Sequence, residues 1–165
     1  MNKKIFYILP SYNEALNLNL LLSKFKRFFK NKKINILIVI VDDGSVDNSI
    51  EIIKEFTKKN NAKKFNIKII QHKKNLGLGM ALKTGFNYCF SKGNNEDVLI
   101  TMDTDNSHTI SLSYKMAEKI LFKKKDIVIA SRYQLNSKIK GLNLSRKFLS
   151  FGAAILFKIF FPIKN

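Results

Sequence analysis

The sequence predicts an α/β fold, a mostly parallel sheet with helices on both faces. Three observations point to it. Short β-branched runs alternate with longer segments whose apolar residues recur at helical spacing. The run Ile34–Val41 is rich in Ile and Val, as expected of a strand covered on both sides. Nearly all the unusual polar chemistry falls directly after the short runs, where ligands bind in sheets of this kind.

The elements follow in order. Ile5–Leu9 reads as a short buried strand. Ala15–Phe29 reads as a helix with Leu18, Leu21, Leu22, Phe25, Phe28 and Phe29 on one stripe. Ile34–Val41 is the second strand. Asp47–Asn60 is a helix with Asp47 as its N-cap and Ile50, Ile53 and Phe56 as its buried stripe. Asn66–Ile70 is the third strand. Leu78–Ser91 is a helix striped by Leu82, Phe86, Cys89 and Phe90. Asp97–Met102 is the fourth strand, Ile110–Lys124 the fourth helix and Ile127–Ala130 a fifth strand. The last stretch, 143–161, places Leu144, Phe148, Phe151, Ile155 and Ile159 at helical spacing, with Arg146, Lys147 and Lys158 off the stripe. This is the pattern of a basic amphipathic helix, suited either to a core or to a membrane interface.

Composition narrows the class. The 165 residues suffice for one domain with a real core. One cysteine, Cys89, excludes a disulfide framework and fits a reducing compartment. The apolar run near the N-terminus is too short for a signal peptide, and no run reaches the ~18 apolar residues of a membrane span. The net charge of +18 points either to a solvated lysine-rich surface or to a polyanion. No helix-turn-helix, zinc-finger spacing or RNA-recognition motif is found, so a nucleic-acid partner is not expected.

Against this basic background the acids gather behind the strands: Glu14, Asp42, Asp43, Asp47, Asp103 and Asp105. Two carboxylates as close as Asp103 and Asp105 repel unless a cation or proton joins them. An Asp-x-Asp at a strand end can hold Mg²⁺ or Mn²⁺ through oxygen. Taken alone, the pair can equally cap a turn and the following helix. Gly44 in "DDGS" suggests a tight turn, and "NLGLG" a glycine-rich turn that lacks a complete dinucleotide fingerprint. Arg132, just after the fifth run, is a candidate phosphate ligand. His72 and His108 lack metal-ligand spacing and read as structural or solvent-facing, with His108 the better placed for chemistry.

Six stretches, in this order, carry a resemblance: "ILPSYNEALNL", "VIVDDGSVDNS", "NLGLGMALKTGF", "TMDTDNSH", "IVIASRY" and "LSRKFLSFGA". Together they resemble glycosyltransferase family 2, in particular its dolichol- or polyprenol-phosphate mannosyltransferase branch. The resemblance implies a Rossmann-like nucleotide-diphospho-sugar transferase (GT-A) fold. It also implies a metal-dependent, inverting transfer of a hexose, mannose or glucose, from a GDP- or UDP-sugar to polyprenyl or dolichyl phosphate. A sugar-hydroxyl acceptor is the alternative within the family. By the same resemblance Pro10, Tyr12, Glu14, Asp43 and Gly77 line the donor pocket. Asp103 and Asp105 bind the metal, Asp105 most directly, while Arg132 and Arg146 meet phosphate. In such enzymes the domain usually continues with a further acidic and Gly-aromatic block. The expectation is therefore a single catalytic domain, 1–165, shortened at its C-terminus and able to bind donor with or without turnover. The implied location is cytoplasmic, peripheral on the anionic inner face of a membrane.

Overall fold

The computed structural model describes residues 3–60, 65–123, 125–131 and 152–153. The chain forms two compact units, Met1–Val128 and Ile129–Asn165. In the second, residues 129–131 have no regular structure and residues 152 and 153 are helical. Arg132, Arg146 and nearly all of the expected helix 143–161 lie outside the described residues.

The first unit runs β1 (Lys4–Ser11), α1 (Ala15–Phe29), β2 (Asn35–Asp42), α2 (Ser49–Asn60), β3 (Phe65–Gln71), α3 (Leu78–Lys92), β4 (Val98–Thr101) and α4 (Ile110–Lys123). The strands form one parallel sheet in the order β3-β2-β1-β4. Strand alternation sorts the apolar residues onto two faces. Ile5, Tyr7 and Leu9 of β1 and Ile36, Ile38 and Ile40 of β2 pack with α1, α2 and α4. Phe6 and Ile8 of β1 and Val39 and Val41 of β2 pack with Ala81 and Cys89 of α3. Three helices thus cover one face and one covers the other. The covering of both faces explains why β1 and β2 read as continuous apolar runs.

The stripe expected of α1 is the buried one, with Leu18, Leu21, Leu22, Phe25 and Phe29 in the core. Tyr7 meets Phe25 edge to face at 4.8 Å between ring centroids. The α3 stripe holds for Leu82 and Phe86, partly buried against the sheet, and for Cys89, but not for Phe90. Its buried residues are Ala81, Gly85 and Cys89, one turn apart, and Phe90 is 70% exposed. Phe90 lies one residue, about 100° around the helix, beyond Cys89, so it leaves the sheet. Small residues let α3 approach closely: a Cβ on Gly85 would lie 2.4 Å from Ile8 Cγ2.

The fifth strand expected at Ile127–Ala130 is absent: the segment has no ladder partner, and Ile127 is 78% exposed. Without a buried face, its β-branched residues gain nothing from extended pairing. β4 is shorter than expected, and β1 longer, running through Pro10 to Ser11.

Candidate functional site at the carboxyl edge of the sheet

Because all four strands are parallel, their carboxyl ends Ser11, Asp42, Gln71 and Thr101 share one edge. The strand order reverses between β1 and β4, and the crevice outside such a reversal is where open α/β sheets bind ligands. The loops after all four strands begin there.

The loops after β1 and β2 are laced together by side chains. Asn13 N–H donates to Ser45 Oγ at 2.9 Å, and Val46 N–H donates to Asn13 Oδ1 at 2.9 Å. Glu14 N–H donates to Ser49 Oγ at 2.9 Å, and Ala15 N–H to Asp47 Oδ2 at 3.1 Å. The other oxygen of Asp47 accepts Ser49 N–H at 3.0 Å. Asp47 therefore serves the starts of both α1 and α2, and α2 begins at Ser49 rather than at Asp47. Burial raises the Asp47 carboxyl pKa. The Ser49 hydroxyl and the Ala15 and Ser49 N–H groups outweigh it, leaving the group below the ordinary 3.8. Of the residues expected to line the donor pocket, Pro10 is half-buried in β1, Tyr12 is 45% exposed, and Glu14 begins α1. Glu14 Oε2 accepts from the Asn17 side-chain amide at 2.7 Å.

Asp42 and Asp43, neighbours in sequence, face opposite sides of the sheet. Asp42 sits beside Ser11 in register, toward α1 and α2. Both are buried, and Ser11 Oγ and Asp42 Oδ1 have no hydrogen-bond partner among the described residues. A polar ligand or water reaching them gains hydrogen bonds that the fold does not supply. Asp43 turns toward α3 and is only 4% exposed. Its Oδ1 accepts from His72 Nδ1 at 2.6 Å and from Leu76 N–H at 3.0 Å, and its Oδ2 from Gly77 N–H at 2.8 Å. His72 Nε2 in turn meets Thr84 Oγ1 at 2.9 Å. Burial pushes the Asp43 carboxyl up, but these donors outweigh it and hold it below 3.8. Gly77, with φ at 88°, begins α3, where only glycine is relaxed. Asp43 thus acts on the Gly77 loop, with its oxygens engaged there rather than open to solvent.

The loop after β4 carries the acidic pair. Asp103 and Asp105 are exposed and flank Thr104, which is buried and donates through Oγ1 to Pro10 O at 3.2 Å. Asn106, at φ 62°, donates through its side-chain amide to Asn17 O and accepts from Lys24 Nζ. The loop is therefore pinned to β1 and α1 while both carboxylates face outward. Asp105 Oδ1 accepts Ser107 N–H at 2.8 Å, a local turn rather than a cap on α4. The Ser107 hydroxyl and N–H lower the Asp105 pKa more than partial burial raises it. His108 Nδ1 lies 3.9 Å from Asp103 Oδ2. Among the described residues no three His, Cys, Asp or Glu side chains form a complete metal site. The donor set still fits Mg²⁺ or Mn²⁺, which use one or two carboxylates and complete their shell with water and substrate phosphate.

Comparison with known proteins decides the family. Residues 7–164 match the profile of glycosyl transferase family 2. The chain belongs to glycosyl transferase family 2. Relatives include the dolichol-phosphate mannosyltransferase of Pyrococcus furiosus, 33% identical over 96% of this chain and 42% of that protein. The UDP-N-acetylglucosamine–dolichyl-phosphate N-acetylglucosaminyltransferase of Methanococcus voltae is 29% identical over 94% of this chain and 62% of its own length. The chain thus spans about half the length of the curated relatives it matches. The solved structure of S. aureus TarS 1–349 has a TM-score of 0.50 at 21% identity, covering 71% of this chain and 32% of that one. That likeness bears out the GT-A fold expected of a family 2 member.

Of the expected family 2 residues, the structure brings Pro10, Tyr12, Glu14, Asp43, Gly77, Asp103 and Asp105 to one edge. Thr84, Ser11 and Asn106 belong to the same edge or its supports, and the motifs did not single them out; His72, read as structural, supports it too. A signal existed for Asn106 and Asn13, since Asn tolerates positive φ better than most residues. None existed for the His72–Thr84 contact, which depends on how α3 packs.

Proposed function

We propose that the chain is the nucleotide-sugar-binding part of an inverting glycosyltransferase that moves a hexose, mannose or glucose, from GDP- or UDP-sugar to polyprenyl or dolichyl phosphate. The observation that carries this reading is the outward pair Asp103–Asp105, pinned through Thr104 and Asn106 beside the strand-order reversal. The two relatives, named as a dolichol-phosphate mannosyltransferase and a dolichyl-phosphate N-acetylglucosaminyltransferase, support the acceptor class.

Asp103 and Asp105 are the residues that would hold Mg²⁺ or Mn²⁺. When bound, the cation neutralises charge on a diphosphate leaving group. Tyr12 offers a half-exposed ring to a base, and Gly77 offers backbone close to a ligand. A lipid phosphate needs no general base, because its second pKa is ~6 and the oxygen is already anionic. In keeping with this, His72 is occupied by Asp43 and Thr84. A sugar-hydroxyl acceptor would call on a base instead, and His108 beside Asp103 is the group so placed.

A peripheral site on the cytoplasmic, anionic face of a membrane fits the charge of +18. It also fits the exposed Leu76, Leu78 and Met80, which follow Lys73 and Lys74. Among the described residues no helix is long and apolar enough to cross a membrane.

Calorimetry with GDP and UDP, with and without Mn²⁺, tests the donor reading. Wild type is expected to bind one of them more tightly with metal, and Asp105→Ala to lose that gain by about tenfold or more. Metal-independent or absent nucleotide binding would sink it. A transfer assay with polyprenyl phosphate against a sugar acceptor then separates the two acceptor classes. Donor binding without turnover identifies a binding unit that needs the further length its relatives possess.

A further inference from the structure

We propose that Asp43, His72 and Thr84 form a hydrogen-bonded relay that holds the loop between β3 and α3 in place, making His72 and Thr84 positioning residues for nucleotide binding at the strand edge. The nucleotide part rests on the function proposed above; the loop part does not.

The geometry has a single consistent proton arrangement for a neutral ring. Asp43 is a carboxylate and can only accept, so the proton between it and His72 belongs to Nδ1. Nε2 is then an acceptor, and Thr84 Oγ1 must be the donor at 2.9 Å. The relay runs from the second turn of α3, through an imidazole, to the carboxylate that takes Leu76 N–H and Gly77 N–H. The His72–Asp43 contact is shielded: the His72 side chain is 10% exposed and that of Asp43 5%.

Among the described residues the loop has few other polar anchors, chiefly His72 N–H to Asp42 O at 2.8 Å where it leaves β3. Gly77 N–H also reaches Asn75 Oδ1 at 3.0 Å, a contact within the loop itself. Leu76 and Leu78 are 44% and 60% exposed and contribute little burial. A Cβ added to Gly77 would meet nothing within 4 Å among the described residues, so that side of the turn is open. On the far side, Gly44 allows the Lys74–Asn75 backbone to cross within van der Waals contact. Backbone packing limits where the loop can go, and the relay selects its place. Asp43 alone would do this less well. Without His72, a buried carboxylate has lost one of three donors and can rotate toward solvent, releasing Leu76 and Gly77 with it.

The test compares wild type with His72→Ala, Thr84→Val and Thr84→Ser. Nuclear magnetic resonance reads the His72 tautomer and amide exchange at Leu76 and Gly77. Ile40, in the core, serves as the reference for global opening. Calorimetry with GDP and UDP reads affinity. The expected result is an Nδ1–H ring in wild type. Exchange at Leu76 and Gly77 should rise about tenfold in His72→Ala and Thr84→Val relative to Ile40. Nucleotide affinity should fall by a similar factor, and Thr84→Ser should restore both. Exchange that rises equally at Ile40 would mean a merely structural role and would overturn the proposal, as would unchanged exchange or an Nε2–H ring. Faster loop exchange with unaltered affinity overturns the nucleotide part. If wild type binds neither nucleotide, the donor reading falls and the exchange data alone decide the relay.

Discussion

Asp47 Oδ2 accepts the backbone N–H of Ala15 at 3.1 Å, although Ala15 begins α1 and Asp47 lies two residues before α2. One carboxylate closes the start of α1 while its second oxygen closes the start of α2. Loss of an N-cap costs about 0.5–2 kcal/mol, and here two helix starts lose their acceptor together. Asp47→Ala is expected to fall at the upper end of that range in urea unfolding followed by circular dichroism. Asp47→Asn keeps an oxygen for one of the two N–H groups and should recover roughly half.

Gly44 has φ at +75°, and a Cβ there would lie 2.4 Å from the Lys74 carbonyl carbon. The clash is with backbone, which cannot swing aside as a side chain can. Gly44→Ala should therefore combine conformational strain of ~1–2 kcal/mol with displacement of the Lys74–Gly77 segment. The same unfolding assay reads the first. Faster amide exchange at Leu76 reads the second.

Gly85 meets Ile8 under the sheet, where an added methyl would come within 2.4 Å of Cγ2. Gly85→Ala gains helix propensity worth ~1 kcal/mol but overpacks a buried contact at a cost of ~1–3 kcal/mol. Net destabilisation is expected. Ile8→Ala removes the clashing methyl, so the double variant should be more stable than the sum of the two single changes. A double-mutant cycle measures that difference.

Acid sensitivity follows from the depressed carboxylates. The folded pKa values of Asp43 and Asp47 lie below the ordinary 3.8. Each group then binds its proton more readily in the unfolded chain. Its contribution is complete above pH ~4 and is lost as pH falls through the lower folded value. Stability measured from pH 5 downward should decline with a slope that Asp43→Asn reduces, at the cost of lower stability at pH 7.

Much of this was legible because burial on both faces writes itself into composition: β2, α1 and the order of elements follow from it directly. What stayed hidden depended on rotation and packing. Leu82, Phe86 and Cys89 of the expected stripe do meet the sheet, but Phe90 differs from Cys89 by one step around the helix, and the letters alone do not show that Ala81 and Gly85 share the buried face. The Ile127–Ala130 run has strand composition but no ladder, and a ladder is a property of neighbours. At the site, Asp43 reads as an acid beside a ligand. The side of the strand it occupies also ties it to His72, Leu76 and Gly77, contacts that no motif spells out.

The two halves of the edge differ in how far along the chain their partners lie. The lacing of Asn13, Glu14 and Ala15 to Ser45, Ser49 and Asp47 joins residues 32 to 35 positions apart. Seating the Asp103–Asp105 loop joins Thr104 to Pro10 across 94 positions, and Lys4 to Asp97 across 93. Closing the longer loops costs more chain entropy before any contact rewards it. The half of the edge built by the β1 and β2 loops should then assemble early and the acidic pair late, so a nascent or partly unfolded chain would present the first without the second. Pulse-labelled hydrogen exchange during refolding would show protection at Ala15 before Met102, and simultaneous protection would refute that order.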